Sequence, residues 1–101
     1  MKIHLIERVN EFQRISREDH IWESGNWVLS QEVSESLVGG DIYFHKEQTK
    51  QSYFGGKVLG CRIVSEGSDS GRFIIKFQAS MEHKNVKTAK EGWGMEKKIV
   101  R

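Results

Sequence analysis

The side chains best suited to recognition chemistry lie in two aromatic clusters, at residues 41–45 (DIYFH) and 52–57 (SYFGGK), joined by a polar, basic segment. Nucleobases stack on aromatic faces for about 1 to 3 kcal/mol each, and Lys or Arg side chains hold phosphate groups. Aromatic residues interleaved with lysines are therefore typical of a nucleic-acid-binding surface. The candidates are Tyr43, His45, Tyr53 and Trp93 for contacts to the base or ligand, and Lys46, Lys50 and Lys57 for phosphate.

Each aromatic candidate has packing in the core as its alternative. In DIYFH the side chains alternate between two faces, so we expect Ile42 and Phe44 in the core and Tyr43 and His45 facing water or a ligand. Trp93 stands between two glycines, where a large aromatic residue either folds back on a core or is exposed for recognition.

Catalytic and metal-binding patterns are weak. The four histidines are scattered with no metal-ligand spacing, and the single cysteine, Cys61, excludes an intramolecular disulfide and a thiolate cluster. No phosphate-binding glycine loop or nucleophile motif is present. Asp41 and His45 form the only acid-base pair, and a hydrogen-bonded surface pair is the simpler interpretation. We therefore expect no enzymatic activity, no metal and no cofactor.

A length of 101 residues indicates a single domain over residues 1–101. The net charge is +2, but residues 1–40 carry −3 and residues 41–101 carry +5. This asymmetry favours one positive face and a polyanionic partner, unless the charges interleave in space. No apolar run is long enough for a membrane span or a signal peptide, so a cytoplasmic location is expected.

Two helices are predicted near the N-terminus. Leu5, Val9 and Phe12 recur at helical spacing and indicate a helix over residues 5–16. Ser30 is a suitable N-cap for a second, short helix over residues 31–38, which Gly39 ends.

From residue 41 onward the apolar period changes to two, which indicates strands at residues 41–45, 57–65 and 72–80. A loop with one helical turn follows at 81–94, and a final strand is placed at 99–100. Alternation assigns two further sets of side chains to the core, namely Leu59, Cys61 and Ile63 in one strand and Phe73, Ile75 and Phe77 in the next.

Helical signals followed by strand signals predict an α+β fold. The N-terminal helix and the second short helix would pack on a strongly curved, mainly antiparallel sheet or small pseudo-barrel, because glycines interrupt the long strands.

Two glycine-flanked segments, GDIYF (40–44) and GKVLG (56–60), follow the short helix. This arrangement resembles PUA-like domains, the superfamily that includes the ASCH and EVE families, over roughly residues 27–80. The resemblance implies a pseudo-barrel that recognises RNA, or a modified base in DNA or RNA. The chain also resembles small uncharacterised proteins carried on bacterial mobile gene cassettes, which implies nothing about mechanism.

The sequence thus predicts a non-enzymatic domain that binds nucleic acid or a modified nucleotide through an aromatic and basic cleft. RNA or DNA is the expected partner. A protein-interaction or homodimerising module is one alternative, because a domain of this size gains stability by burying more apolar surface. A small-molecule sensor is the other, because a curved sheet can enclose a pocket.

Overall fold

The computed structural model describes all 101 residues, and strands make up most of its regular structure. The elements in chain order are β1 (Lys2–Ile6), β2 (Phe12–Ser16), β3 (Ile21–Trp27), α1 (Gln31–Leu37), β4 (Asp41–His45), β5 (Ser52–Ile63), β6 (Phe73–Ala79), a 3-10 turn (Met81–His83) and β7 (Lys97–Val100).

All seven strands belong to one mixed sheet, in the order β2-β3-β6-β5-β4-β1-β7. β1 and β4 run parallel, and every other neighbouring pair is antiparallel. The sheet has two edges, at β2 and β7, so it does not close on itself. The predicted α+β fold with an N-terminal helix on a curved sheet or pseudo-barrel is therefore wrong.

The predicted helix over residues 5–16 is replaced by β1 and β2. β1 lies between β4 and β7, and both of its faces are covered: Ile3 and Leu5 pack on one side, and His4 is buried on the other. A strand buried on both faces shows no period of two. Val9, which gave the helical spacing, is 68% exposed in the connection between the strands.

The second predicted helix is confirmed as α1. The hydroxyl of Ser30 accepts a hydrogen bond from the backbone N–H of Val33 at 3.1 Å, which satisfies one of the free donors of the first turn. Val33 and Leu37 face the sheet and are buried. Gly39 follows at φ +85°, a conformation that glycine adopts without strain and that ends the helix.

The core lies between α1 and one face of the sheet. Ile42 and Phe44 are fully buried there, and so are Ile75 and Phe77, as predicted. The predicted strand at the C-terminus is also confirmed, as β7. The complete cluster comprises Ile3, Leu5, Leu29, Val33, Leu37, Ile42, Phe44, Val58, Phe73, Ile75 and Phe77.

Of the predicted core set in β5, Leu59 and Ile63 are wrong, and only Cys61 packs on the core. The register with β6 shifts between Val58 and Gly60, so the bulge places Val58 and Cys61, three residues apart, on the face that packs on the core. Val58 is therefore buried, whereas Leu59 is 43% and Ile63 53% exposed. Cys61 is half-buried against the core, and burial raises the pKa of its thiol.

The opposite face of β1, β4 and β5 is covered by the segment 81–96, which begins with the 3-10 turn. The backbone of this segment is tied to Ser52 of β5, whose N–H donates to the carbonyl of Val86 at 2.9 Å. The predicted loop with one helical turn is thus confirmed. The one α-helix, α1, is far too short to span a membrane.

Candidate binding sites

Tyr43 and His45, predicted to face water or a ligand, lie beneath the segment 81–96. Tyr43 is 8% exposed and His45 is fully buried. The phenol ring of Tyr43 stacks on His4 on one side and on His83 on the other, with ring centroids 4.7 and 5.0 Å apart. Neither face of Tyr43 is free to receive a base, so the predicted stacking role is wrong.

His4 and His45 form a buried hydrogen-bonded pair, with Nδ1 of His4 2.9 Å from Nε2 of His45. Nδ1 of His45 lies 2.8 Å from the carbonyl oxygen of Lys50, so that nitrogen carries a hydrogen. Burial lowers the pKa of both rings, and for His4 the nearby positive charges help to bring it to about 4. Both rings are therefore neutral at pH 7, and His45 is committed to the protein.

Trp93 folds back over this pair. Its ring meets His45 edge to face at a centroid distance of 5.6 Å and lies 6.3 Å from the ring of His4. The indole Nε1 is buried and has no hydrogen-bond partner. The same is true of Nδ1 of His83. The polar edge of Trp93 thus points into the protein, and the ring acts as packing for the histidines.

Asp41 links the two sides of this buried cluster. Its Oδ1 accepts from Nε2 of His83 and from Nζ of Lys57, both at 2.9 Å. Burial raises the pKa of Asp41, but these two hydrogen bonds outweigh it, and the pKa is lowered overall. Lys57, a predicted phosphate ligand, is therefore neutralised by a carboxylate.

The other predicted site residues, Tyr53, Lys46 and Lys50, each interact with another part of the protein. The hydroxyl of Tyr53 donates to the carbonyl of Glu7 at 2.8 Å, and Nζ of Lys46 lies over its ring at 4.4 Å. Lys46 also donates to the backbone carbonyl of Arg8 and to the side chain of Asn10. Lys50 forms an exposed ion pair with Glu47 at 3.9 Å.

The lysines also fail to converge on one face. Lys46 follows the C-terminal end of β4, and Lys57 pairs with Asp41 at its N-terminal end. Four residues of strand separate these ends, a distance of about 13 Å. The predicted phosphate site of Lys46, Lys50 and Lys57 is therefore not assembled.

An aromatic and basic cleft does exist, at a different place. It has a volume of about 300 Å³ and lies where the ends of β2 and β3 meet β5, the end of β6 and the 3-10 turn. We call it the Trp22 cleft. Its charged or titratable lining residues are all basic, and the lining comprises Arg14, His20, Trp22, Phe54, Ala79, Ser80, Met81 and Lys84.

The sheet register explains how the Trp22 cleft forms. Arg14 of β2 is directly opposite Trp22 of β3, so both side chains lie on the same face of the hairpin. The Arg14 guanidinium lies 4.5 Å from the centroid of the Trp22 ring. Trp22 in turn meets Phe54 edge to face at 5.4 Å, and both rings are half-buried against the core.

The charges of the Trp22 cleft are unopposed. Arg14 and Lys84 are exposed, and neither takes part in an ion pair. A larger depression of about 500 Å³, on the other side of β3, is instead lined by Glu11, Glu23 and Asp69. Of the two depressions, only the Trp22 cleft has the charge to attract an anion.

Sequence reasoning missed Arg14 and Trp22 because it placed Arg14 in a helix and assigned Trp22 to no helix or strand. Their opposition depends on the β2–β3 hairpin. A local signal was present: the N–H of Asp19 donates to the hydroxyl of Ser16, a turn motif that closes the hairpin.

Comparison of the chain with models of protein families, with curated proteins and with solved structures finds no match. The resemblance to PUA-like domains stays a prediction.

Proposed function

We propose that this protein is a non-enzymatic binding domain that holds one nucleotide unit of a single-stranded nucleic acid in the Trp22 cleft. The observation that carries the proposal is the combination of two half-buried aromatic rings with unpaired basic side chains in one cleft. Such a combination satisfies both parts of a nucleotide, the apolar base and the anionic phosphate.

In the proposed complex, the base stacks against the Trp22–Phe54 wall or on the guanidinium plane of Arg14. Arginine planes and aromatic rings both serve as stacking surfaces for unpaired bases. Lys84, at the end of the 3-10 turn, contacts the phosphate. A duplex would be a poorer ligand, because its bases are already stacked.

The proposal follows the function expected from the sequence but moves it to other residues. Tyr43 and His45 are buried on the face of the sheet opposite the core, and Trp93 packs against His45. The cytoplasmic location expected from the sequence belongs to the same proposal, because nucleic acid is then accessible to the protein.

The test is a titration of labelled single-stranded DNA and RNA at a series of salt concentrations. We expect log K to fall linearly with log of the salt concentration. The double variant Arg14→Gln/Lys84→Gln should reduce that slope by about 0.7, because it removes the one phosphate contact, made by Lys84, and each such contact on a single strand contributes roughly 0.7. Trp22→Ala should weaken binding by about 1 to 3 kcal/mol, the cost of one lost stacking partner.

The matched control is Lys50→Gln/Lys57→Gln, which removes the same charge from two lysines that already face carboxylates. It should leave the salt slope nearly unchanged. The proposal fails if the chain binds no oligonucleotide at low salt, or if the control weakens binding as much as the cleft variant does.

Self-association is a second candidate, favoured by the open edge at β7. Beside it lies an apolar depression of about 410 Å³, where Met95 is 91% and Val28 63% exposed. A second copy that aligned its own β7 there would extend the sheet and cover both side chains. Light scattering should then detect a dimer whose mass falls to the monomer's in Met95→Asp. A monomeric mass at every concentration would exclude it.

A further inference from the structure

Nε2 of His4, a residue that is itself buried, is an acceptor that the protein leaves unused. The carbonyl of Lys50 fixes the hydrogen of His45 on Nδ1, so Nε2 of the neutral His45 ring has none. The hydrogen bond between the two rings must then be donated by Nδ1 of His4. One neutral imidazole carries one N–H, and Nε2 of His4 is therefore a bare lone pair.

This lone pair is reachable from outside although His4 is only 3% exposed. The enclosed side-chain nitrogens without a partner are those of His83 and Trp93, so Nε2 of His4, which has no partner in the protein, touches solvent. His4 lines a pocket of about 140 Å³. That volume equals about five water molecules at roughly 30 Å³ each.

The pocket is equipped for a small anion. Lys2 and Lys87 line it, no carboxylate does, and Thr88 adds a hydroxyl. Tyr43 also lines it, and its hydroxyl has no partner in the protein. Burial, followed by the charge of Asp41, raises the pKa of Tyr43, so the phenol keeps its hydrogen and can donate.

We propose that this pocket binds inorganic phosphate, with a P–O–H group donating to Nε2 of His4 and the charged oxygens facing Lys2 and Lys87. Both forms of phosphate at neutral pH keep a hydrogen to donate. Sulfate has the same shape but no hydrogen at neutral pH. Its oxygen and Nε2 of His4 would both be acceptors, so no hydrogen bond could form between them. A phosphate monoester, with a second pKa of about 6, has lost most of that hydrogen at pH 7.

The proposal is independent of the Trp22 cleft, with which the pocket shares no residue. Arg14→Gln/Lys84→Gln should leave phosphate binding unchanged, and the His4 variants below should leave oligonucleotide binding unchanged. The two proposals therefore fail separately.

The first experiment uses the wild-type chain, titrated with phosphate and with sulfate at pH 7.5 and equal ionic strength. The ring nitrogens of His4 are followed by nitrogen-15 NMR. We expect an unprotonated Nε2 whose signal moves with phosphate, and an affinity for sulfate that is weaker by about tenfold or more, because an acceptor would be left unsatisfied. Equal affinities, no binding of phosphate, or a hydrogen on Nε2 would each overturn the proposal.

The second experiment uses His4→Asn, whose amide NH₂ keeps a donor for His45 but places no acceptor where Nε2 was. It should lose the preference for phosphate over sulfate. Lys87→Ala, in an exposed segment, should weaken binding of both anions equally and keep the preference. If Lys87→Ala removes the discrimination instead, the hydrogen bond to His4 is not its origin.

Discussion

Acidification should destabilise this fold through His4, whose ring is neutral and buried in the folded chain. Its pKa is 6.5 in the unfolded state and about 4 in the folded state, because of burial and of electrostatic repulsion from His45, Lys98 and Lys2. Below pH 6.5 the His4 ring binds a proton in the unfolded chain but stays neutral in the folded chain until the pH nears 4. Stability is therefore fully present above pH 6.5 and falls as the pH is lowered toward 4.

The size of the effect follows from the two pKa values. At pH 5 the unfolded ring is almost fully protonated and the folded ring is mostly neutral, so the free energy of unfolding drops by about 2 kcal/mol relative to pH 7.5. Near pH 4 the loss approaches about 3 kcal/mol. His45, whose pKa is lowered by the same burial, adds to the loss in the same direction.

Urea unfolding at pH 7.5, 6 and 5, followed by tryptophan fluorescence, measures this slope. These three pH values lie above the ordinary pKa of Asp and Glu side chains, about 4. The pKa of Asp41 is lowered further, so its ion pairs weaken only in stronger acid. His4→Asn should flatten the profile by most of 2 kcal/mol. His20→Asn, at an exposed histidine with φ +57° that asparagine tolerates, should not change it. A flat wild-type profile, or an equally steep one in His4→Asn, would refute the reasoning.

Three further predictions concern the fold, and urea unfolding at pH 7.5 checks each. Phe77→Ala should cost about 3 to 5 kcal/mol because it empties a fully buried site, whereas Ile63→Ala, half-exposed after the β5 bulge, should cost well under 1; equal losses would contradict the core assignment. Gly56→Ala would place a Cβ against the carbonyl oxygen of Gln78 and should disrupt the pairing of β5 with β6, whereas the Cβ of Gly60→Ala meets nothing within 4 Å and should be tolerated. Ser30→Ala should cost about 0.5 to 2 kcal/mol through the lost cap of α1, and no change would mean that the cap is dispensable.

The parts of the fold that could be predicted from sequence are those with local signals. Ser30 and Gly39 mark the two ends of α1, and β6 is covered on one face and open on the other, so its residues alternate cleanly. β1 shows no alternation of apolar and polar residues, because both of its faces are buried. It lies between β4 and β7, with the core on one face and the segment 81–96 on the other. Its strand character comes from neighbours that lie about 40 and 95 residues away in the chain.

The candidate sites were harder to predict than the elements. Proximity in sequence suggested that Tyr43, His45 and the following lysines act together. In the structure Tyr43 and His45 are buried, and the exposed Lys50 and Lys57 are paired with carboxylates. The β5 bulge changes which residues of that strand face the core, and the amino-acid composition of the strand does not mark its position. The Trp22 cleft requires knowing that β3 pairs with β6 rather than with the strand that follows it.

The pairing of β1 with β7 places Lys2 directly opposite Val100, so the start of the first strand and the end of the last strand lie side by side. The backbone is thus close to a closed ring. A short linker between these ends, with a new opening at the exposed turn around Gly67, would preserve every strand pairing while changing the order in which the strands are synthesised. The strand pairings, and not the position of the first residue, therefore define this architecture. β1, paired with β4 on one side and β7 on the other, lies where the new linker would join the chain.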